Sequence, residues 1–258
     1  MSESAVLIEN PAAGVRLFRL NRPDKRNALD TATLRLLTDA LATADEAADV
    51  RIMVITGGDK LFAAGADLNE MASKTEADAL QDPRANLWAR IRAVRKPIVA
   101  AVEGWCLGAG HELLMCCDLA VASREAKFGQ PETNLGIMPG AGGTALLPRL
   151  IGRARAMKMV LGGAPLSGEE ALACGLVAET CAPGEATLRA LALASELAAR
   201  APLALQAAKA VINAALELPL SANLQLERER FARLLSTEDK REGVAAFLER
   251  RTPQWRGV

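Results

Sequence analysis

The sequence predicts an α/β fold, in which short apolar strands alternate with helices over the first part of the chain. Apolar runs bounded by glycine or proline recur along residues 1–185, and amphipathic helical patterns lie between them. Beyond that point the pattern is helical almost throughout. We therefore predict an α/β core over residues 1–185, followed without a clear linker by a helical C-terminal region over residues 186–258.

The first elements are predicted to be a pair of β-strands followed by a helix. Apolar segments at residues 6–8 and 15–20 flank a turn signal at residues 11–14. Asp30 is expected to be the N-cap of the helix, where its carboxylate accepts a hydrogen bond from a free backbone amide. The apolar face of this helix is formed by Leu34, Leu37 and Leu41.

Continuous apolar runs predict further buried strands at residues 52–55, 97–102 and 119–121. Pro97 fits only the start of its strand, because proline has no backbone N–H to donate to a neighbouring strand. The helices predicted around these strands are a charged helix over residues 83–95 and an apolar, buried helix over residues 108–117.

The second half of the chain carries helix signals. Residues 167–170 have the spacing of a capping box, and Gly175 stands where a helix would end. Farther along, one helical face carries Leu220, Leu224, Phe231, Leu234 and Leu235. The sequence leaves open whether this face packs on the core of the same chain or on a neighbouring subunit.

Composition excludes several classes of function. The 258 residues include 31 basic and 31 acidic side chains, whereas a nucleic-acid-binding protein needs an excess of positive charge. No apolar run approaches the roughly 20 residues of a membrane span. One histidine and no tyrosine exclude mechanisms that need two histidines or a Ser-Lys-Tyr arrangement. The five cysteines lack C-x-x-C spacing, so we expect no metal site and a reducing, cytoplasmic compartment.

Three glycine-rich segments are candidates for close contact between the backbone and a ligand: residues 62–67, 104–112 and 136–143. Taken one at a time, each is better explained as a tight turn at the end of a strand or helix. Residues 140–145 match the G-x-G-x-x-A pattern of dinucleotide-binding folds, but no strand closely precedes them and no acidic residue follows at the required distance. A phosphate-binding P-loop is excluded because the chain contains no Gly-Lys pair.

Glu112 and Glu132 are candidate acid–base groups, because each lies beside a glycine-rich segment in apolar or small surroundings. A buried carboxylate without compensation costs several kcal/mol or keeps its proton. A buried ion pair is the alternative interpretation of Glu112. If both glutamates share one cavity, their interaction separates their pKa values, as acid–base catalysis requires.

Four motifs in this order resemble the enoyl-CoA hydratase, or crotonase, family: residues 62–67, 104–112, 128–132 and 136–143. Residues 21–29 are similar to the start of that family and residues 242–247 to its end, so the resemblance extends over nearly the whole chain. It implies a crotonase-like spiral of ββα units, a helical C-terminal trimerisation region and a coenzyme A thioester as substrate.

The resemblance also implies roles for individual residues. The backbone N–H groups of Ala66 and Ala109 are expected to form an oxyanion hole for the thioester carbonyl. Family members usually have glycine where this chain has Ala109, which matters only if the position requires a positive φ. Glu112 is expected to be the general base that activates water, Glu132 the general acid that protonates Cα, and Gly140 the donor that helps hold the water.

The same resemblance gives substrate-binding positions at Lys25, Ala64, Gly65, Asp67, Leu68, Gly108, Phe247 and Arg250. Lys25, together with Arg22 and Arg26, is expected near the CoA phosphates; the alternative is a solvated turn. Phe247 and Arg250 are expected to reach the adenine end, from the same or a neighbouring subunit. No cofactor is implied, because CoA enters as part of the substrate.

The implied activity is a hydro-lyase reaction, in which water adds across the 2,3-double bond of an enoyl-CoA to give a 3-hydroxyacyl-CoA. The alternatives are a 3,2-enoyl-CoA isomerase, which generally keeps one acid, and a non-catalytic binding member of the family. The presence of both glutamates ranks the hydratase first.

Two C-terminal segments point to a narrower relationship. Residues 201–209 and 238–253 are similar to bacterial 2,3-dehydroadipyl-CoA hydratases of phenylacetate catabolism. A short-chain fatty enoyl-CoA hydratase is the alternative, because these segments indicate kinship rather than pocket shape. We expect a homotrimer or a dimer of trimers, without nucleic-acid or membrane partners.

Overall fold

The computed structural model describes residues 4–258, so Met1, Ser2 and Glu3 of the predicted core lie outside the described residues. Its strands are β1 (Val6–Ala12), β2 (Gly14–Leu20), β3 (Val50–Thr56), β4 (Ile98–Val102), β5 (Trp105–Leu107), β6 (Leu119–Ser123), β7 (Lys127–Gly129), β8 (Leu166–Ser167) and β9 (Glu179–Cys181). Its helices are α1 (Thr31–Glu46), α2 (Leu68–Met71), α3 (Glu76–Leu80), α4 (Arg84–Arg92), α5 (Ala109–Leu114), α6 (Gly143–Ile151), α7 (Arg153–Gly162), α8 (Gly168–Ala173), α9 (Ala186–Ala198), α10 (Pro202–Ala214), α11 (Leu220–Leu234) and α12 (Glu238–Glu249).

The strands form two sheets. The larger has the order β1-β2-β3-β4-β6-β9, and the smaller has the order β5-β7-β8. In the larger sheet β1 and β2 pair antiparallel, and the other neighbours pair parallel. In the smaller sheet β5 and β7 are parallel, and β8 is antiparallel to β7. The alternation of strands and helices predicted from the sequence is confirmed.

The predicted strand pair and helix at the N-terminus are confirmed, but the predicted turn at residues 11–14 is shorter, because Pro11 and Ala12 belong to β1. The Asp30 carboxylate accepts a hydrogen bond from the Thr33 backbone amide at 2.7 Å and caps α1, whose apolar face is fully buried. The strand β1 runs farther than predicted, through Pro11, which an edge strand tolerates because its outer amides need no partner. The capping box before α8 is also present, and Gly175 follows that helix with a φ of +80°.

The larger sheet is buried on both faces. Ile52 and Val54 of β3 face one apolar cluster, and the alternate residues Met53 and Ile55 face the other. The first cluster is closed by the alanine-rich face of α9, and the second by α1 and neighbouring helices. The first helix of the predicted C-terminal region therefore packs on the sheet of the core. The boundary at residue 185 stays a prediction.

Beyond α9 an apolar face is left uncovered by this chain. Four residues of the face predicted around α11 are between 49% and 73% exposed: Leu220, Leu224, Phe231 and Leu235. Only Leu234 is half-buried. The face therefore does not pack on the core of its own chain. Within residues 4–258, no helix combines the length and the apolar character needed to cross a membrane.

Candidate active site

A cavity of about 940 Å³ lies beside the start of α5. The predicted site residues that line it are Lys25, Ala64, Gly65, Ala66, Asp67, Leu68, Gly108, Ala109, Glu112, Glu132 and Gly140. The structure thus brings together residues from five separate sequence motifs, the opening motif at residues 21–29 included. Phe247 and Arg250 do not line it; they lie at the end of α12, where Phe247 is 83% exposed.

Two backbone donors face this cavity. Ala109 is the first residue of α5, so its N–H has no acceptor within the helix. Neither this N–H nor that of Ala66 donates a hydrogen bond to any group in residues 4–258. Ala109 is helical, because positive φ among the non-glycine residues described occurs only at Arg26, Asn27 and Arg250. Alanine therefore introduces no backbone strain at position 109.

The two glycines on either side of Ala109 allow neighbouring chain segments to pack closely against the start of α5. Gly108 has a φ of +49°, and a Cβ there would lie 2.9 Å from Oε1 of Glu132. A Cβ at Gly110 would lie 2.6 Å from the carbonyl oxygen of Ala63. That same oxygen accepts a hydrogen bond from the Leu107 amide at 3.0 Å. The segment leading to Ala66 is thereby held against α5.

Glu112 is anchored by backbone amides. Its side chain lies in α5 and the residue is 2% exposed. Oε1 accepts hydrogen bonds from the amides of Ala141 at 2.7 Å and Gly143 at 2.8 Å. Burial raises the pKa of Glu112, whereas these amides and the charges of Arg84 and Arg92 oppose the rise. The alternative of a direct ion pair at Glu112 is not observed in the part of the chain described.

Glu132 lies in a different environment. It begins a short 3-10 turn, Glu132–Leu135, after β7 and is half-buried. Burial raises its pKa to about 7, and the negative charge of Glu112 acts in the same direction. The two carboxylates therefore interact electrostatically while they line one cavity. Near neutral pH this pair can hold one proton and one negative charge.

A buried amide connects Glu132 to the histidine. With its nitrogen towards Glu132, the Gln130 side chain donates to Oε1 at 2.9 Å and to Oε2 at 3.1 Å. The other end of the amide then faces Nδ1 of His111. Burial lowers the pKa of His111 to about 4, so the ring is neutral. Its Nε2 has no hydrogen-bond partner among the described residues, which favours the proton on Nδ1, where it donates to Gln130.

Several residues of this site were not identified from the sequence. Gln130 stands inside the quoted motif at residues 128–132, but only the fold reveals its contact with Glu132. The amides that hold Glu112 come from Ala141 and Gly143, next to the predicted Gly140. The N–H of Gly140 itself donates no hydrogen bond within residues 4–258 and remains available at the cavity.

The basic residues of the opening motif separate into two groups. Lys25 and Arg26 are exposed at the rim of the cavity. Arg22 instead forms ion pairs with Asp30 at 2.9 Å and with Asp67 at 3.2 Å. These contacts explain Arg22 and Asp67 as residues that hold the rim together, and they leave Lys25 and Arg26 for contact with an anionic ligand.

The arrangement suits one kind of chemistry. Two unused N–H donors stabilise negative charge that develops on a carbonyl oxygen. Two carboxylates beside them, with different environments, can take up a proton on one side and deliver one on the other.

Comparison with known proteins agrees with this geometry. The sequence profile of the family described as Enoyl-CoA hydratase/isomerase matches residues 10–258. The chain is 49% identical to the 2,3-dehydroadipyl-CoA hydratase of Escherichia coli (strain K12), over 97% of this chain and 98% of that protein. It is 40% identical to a probable enoyl-CoA hydratase of Rhizobium meliloti (strain 1021), over 99% of each.

Solved structures give the same relationship. The crystal structure of enoyl-CoA hydratase from Bacillus anthracis superposes with a TM-score of 0.94 and 34% sequence identity, covering 99% of this chain and 100% of that chain.

Proposed function

Because the chain belongs to the enoyl-CoA hydratase/isomerase family, we propose that its cavity hydrates the 2,3-double bond of an enoyl-CoA to give a 3-hydroxyacyl-CoA. The predicted crotonase-like fold is confirmed, and the protein is an enzyme of the hydro-lyase class. One observation carries the proposal: both glutamates and both unused backbone donors line a single cavity.

The proposed reaction begins with the thioester carbonyl bound between the N–H groups of Ala66 and Ala109. These donors withdraw electron density from the double bond and make Cβ electrophilic. They then stabilise the enolate that forms when water adds. One such donor contributes about 3–4 kcal/mol to the transition state.

The proposed proton transfers divide between the two carboxylates. Glu112, whose carboxylate accepts hydrogen bonds from two backbone amides, is proposed to take a proton from the water that attacks Cβ. Glu132, whose pKa of about 7 favours the acid form, delivers a proton to Cα. The N–H of Gly140, which lines the same cavity, is proposed to help hold that water. Each positioned acid or base contributes about 10²- to 10⁴-fold.

A 3,2-enoyl-CoA isomerase is the second candidate, because isomerases of this fold generally need one acid. The environments of Glu112 and Glu132 favour hydration, since each carboxylate is separately held: one by backbone amides, the other by Gln130.

The proposed physiological substrate is 2,3-dehydroadipyl-CoA. Support comes from the relative that carries this name at 49% identity over nearly the full length of both chains. A short-chain fatty enoyl-CoA is the competing substrate, as the probable enoyl-CoA hydratases at about 40% identity indicate.

The test is hydration of crotonyl-CoA and of 2,3-dehydroadipyl-CoA, followed by loss of the enoyl-thioester absorbance. We expect turnover of both and a higher kcat/KM for the second. Formation of a 2-enoyl from a 3-enoyl thioester without hydration would favour the isomerase. A large preference for crotonyl-CoA would remove the dehydroadipyl assignment.

The remaining parts of the proposal concern binding and assembly. Lys25 at the rim is proposed to contact the CoA phosphates, and no cofactor beyond the substrate's CoA is required. The exposed face at Leu220, Leu224, Phe231 and Leu235 supports a trimer or a dimer of trimers. A neighbouring subunit would then supply Phe247 and Arg250 to the adenine end. Light scattering tests this, and a monomer would contradict it.

We also propose a cytoplasmic location. The support is that all five cysteines are free thiols, as is typical of proteins in a reducing compartment.

A further inference from the structure

We infer that Arg84 binds a carboxylate at the far end of the acyl chain and so makes the enzyme selective for an enoyl-CoA of a dicarboxylic acid. The inference rests on the proposed hydratase function and names the residue that selects its substrate class.

Arg84 belongs to the wall of the cavity. It is the first residue of α4, and Ala85 and Trp88 of the same helix line the cavity beside it. Its side chain is 12% exposed. Its positive charge opposes the rise that burial causes in the pKa of Glu112. The largely buried guanidinium therefore belongs to the cavity wall, unlike the exposed side chains of Lys25 and Arg26 at the rim.

Most N–H donors of the Arg84 guanidinium form no hydrogen bond within residues 4–258. Its one hydrogen bond within residues 4–258 runs from Nη2 to the carbonyl oxygen of Leu29 at 3.3 Å. The nearest carboxylate is that of Glu70, 3.8 Å from Nη1 and too far for a hydrogen bond. Glu70 instead accepts hydrogen bonds from the amide and the hydroxyl of Thr31, at 2.9–3.1 Å. An arginine carries five N–H donors, so most of this fork remains free for a ligand.

Other cations near the cavity are either paired or exposed. Lys74 forms an ion pair with Asp82 at 2.5 Å. Arg22 is paired with two aspartates, and Lys25 and Arg26 lie exposed at the rim. Among the cations that line the cavity in the described chain, Arg84 is thus the partly buried one whose carboxylate contact, with Glu70 at 3.8 Å, is too long for a hydrogen bond.

Stability of α4 does not account for an arginine at this position. A cation in the first turn of a helix opposes the macrodipole, whereas Arg90 and Arg92 in the last turn complement it. The single bond to Leu29 would be satisfied by a neutral donor. Apart from the 3.8 Å contact with Glu70, the charge of Arg84 is therefore available to a ligand in the cavity that it lines.

The chemistry of the substrate fits. In 2,3-dehydroadipyl-CoA the terminal carboxylate lies three carbons beyond the atom that water attacks. A guanidinium fork pairs with a carboxylate through two parallel hydrogen bonds. A neutral acyl chain of the same length would place a methyl group against an unpaired cation, so the same residue also disfavours fatty acyl chains.

The test compares two substrates that differ only at the end of the chain: 2,3-dehydroadipyl-CoA and trans-2-hexenoyl-CoA, each with six acyl carbons. Wild-type protein, R84Q, R84K and the control R90Q are assayed for kcat/KM on both. Arg90 lies on the same helix but outside the cavity, exposed and paired with Asp39. R84Q removes the charge while it keeps an N–H donor for Leu29.

We expect the wild type and R90Q to prefer the dicarboxylic substrate. R84Q should lower the preference by about 10- to 100-fold, mainly through a higher KM, because it removes hydrogen bonds to a charged group. R84K should recover part of it. An equal loss on both substrates would overturn the inference and assign Arg84 to structure or to Glu112. An unchanged preference would also overturn it, whereas wild-type protein inactive on both substrates would instead reject the hydratase function.

Discussion

The segments that carry Glu112 and Glu132 hold similar carboxyl groups in opposite ways. Glu112 lies in a fully buried helix, and backbone amides of the 141–143 turn donate to it. Glu132 lies half-exposed on a 3-10 turn, and its partner is the side-chain amide of Gln130. The more buried carboxylate is thus the better compensated one. Burial alone does not decide which acid keeps its proton; the donors around each carboxylate do.

This contrast agrees with the roles that we propose. Amides and two arginine charges favour the anion of Glu112, as a general base requires. The pKa of Glu132 near 7 leaves it protonated at and below neutral pH, as a general acid requires.

Replacing either carboxyl group should have the largest effect. We expect E112Q and E132Q each to lower kcat by about 10²-fold or more, because the amide keeps the shape but transfers no proton. The KM for crotonyl-CoA should change little. The control E169Q changes an exposed acid outside the cavity and should be normal. Near-wild-type turnover by either site variant would reject its proposed role.

The pH dependence of kcat/KM should follow the protonation of Glu132. Above an apparent pKa near 7, kcat/KM should fall about tenfold per pH unit as the general acid loses its proton. Steady-state rates between pH 5 and pH 9 would show this alkaline limb. A rate that stays flat to pH 9 would contradict the assignment of Glu132 as the acid.

Removing the amide beside Glu132 should have a smaller effect. Q130L deletes the donors that stabilise the anion, so the pKa of Glu132 should rise and the alkaline limb should move to higher pH. We expect kcat to fall by about tenfold, because the acid is also less well positioned. A loss of kcat without a shift of the limb would indicate packing damage and not a contact with Glu132.

The smallest effect concerns stability. The pKa of Glu132 is higher in the folded protein than its ordinary value of 4.5, so the folded state loses stability through this group as pH rises from about 4.5 to 7. The neutral amide of E132Q avoids that loss. Urea unfolding should therefore show E132Q gaining stability relative to wild type between pH 5 and pH 8. A difference that is independent of pH would contradict the raised pKa.

Much of the fold follows from local patterns in the sequence. Caps at Asp30 and Ser167 and the apolar runs of β3 and β4 each depend on residues close in the chain, and all are confirmed. The short strands β5 and β8 were not predicted, because two or three residues carry no periodicity. The buried helix predicted over residues 108–117 is shorter, ending at Leu114, since the turn that leads to β6 begins there.

The site was predictable only to the extent that motifs carry it. Family motifs led to both glutamates and to the two proposed oxyanion donors, Ala66 and Ala109, and all four residues line the cavity. The sequence predicts only a charged helix for the segment that contains Arg84. Its position beside the cavity was not predictable, because the cavity is formed by distant parts of the chain. The contact between Gln130 and Glu132 likewise required coordinates.

Positions 109 and 110 are adjacent, but only position 110 requires glycine. The methyl group of Ala109 introduces no backbone strain. A Cβ at the next residue, Gly110, would lie only 2.6 Å from the carbonyl oxygen of Ala63, which is too close for a carbon atom. Substitution at 110 would push apart the two chain segments that present the N–H groups, although it would not remove any of those groups. The spacing of the two proposed oxyanion donors therefore depends on the absence of a Cβ at Gly110, one residue after Ala109.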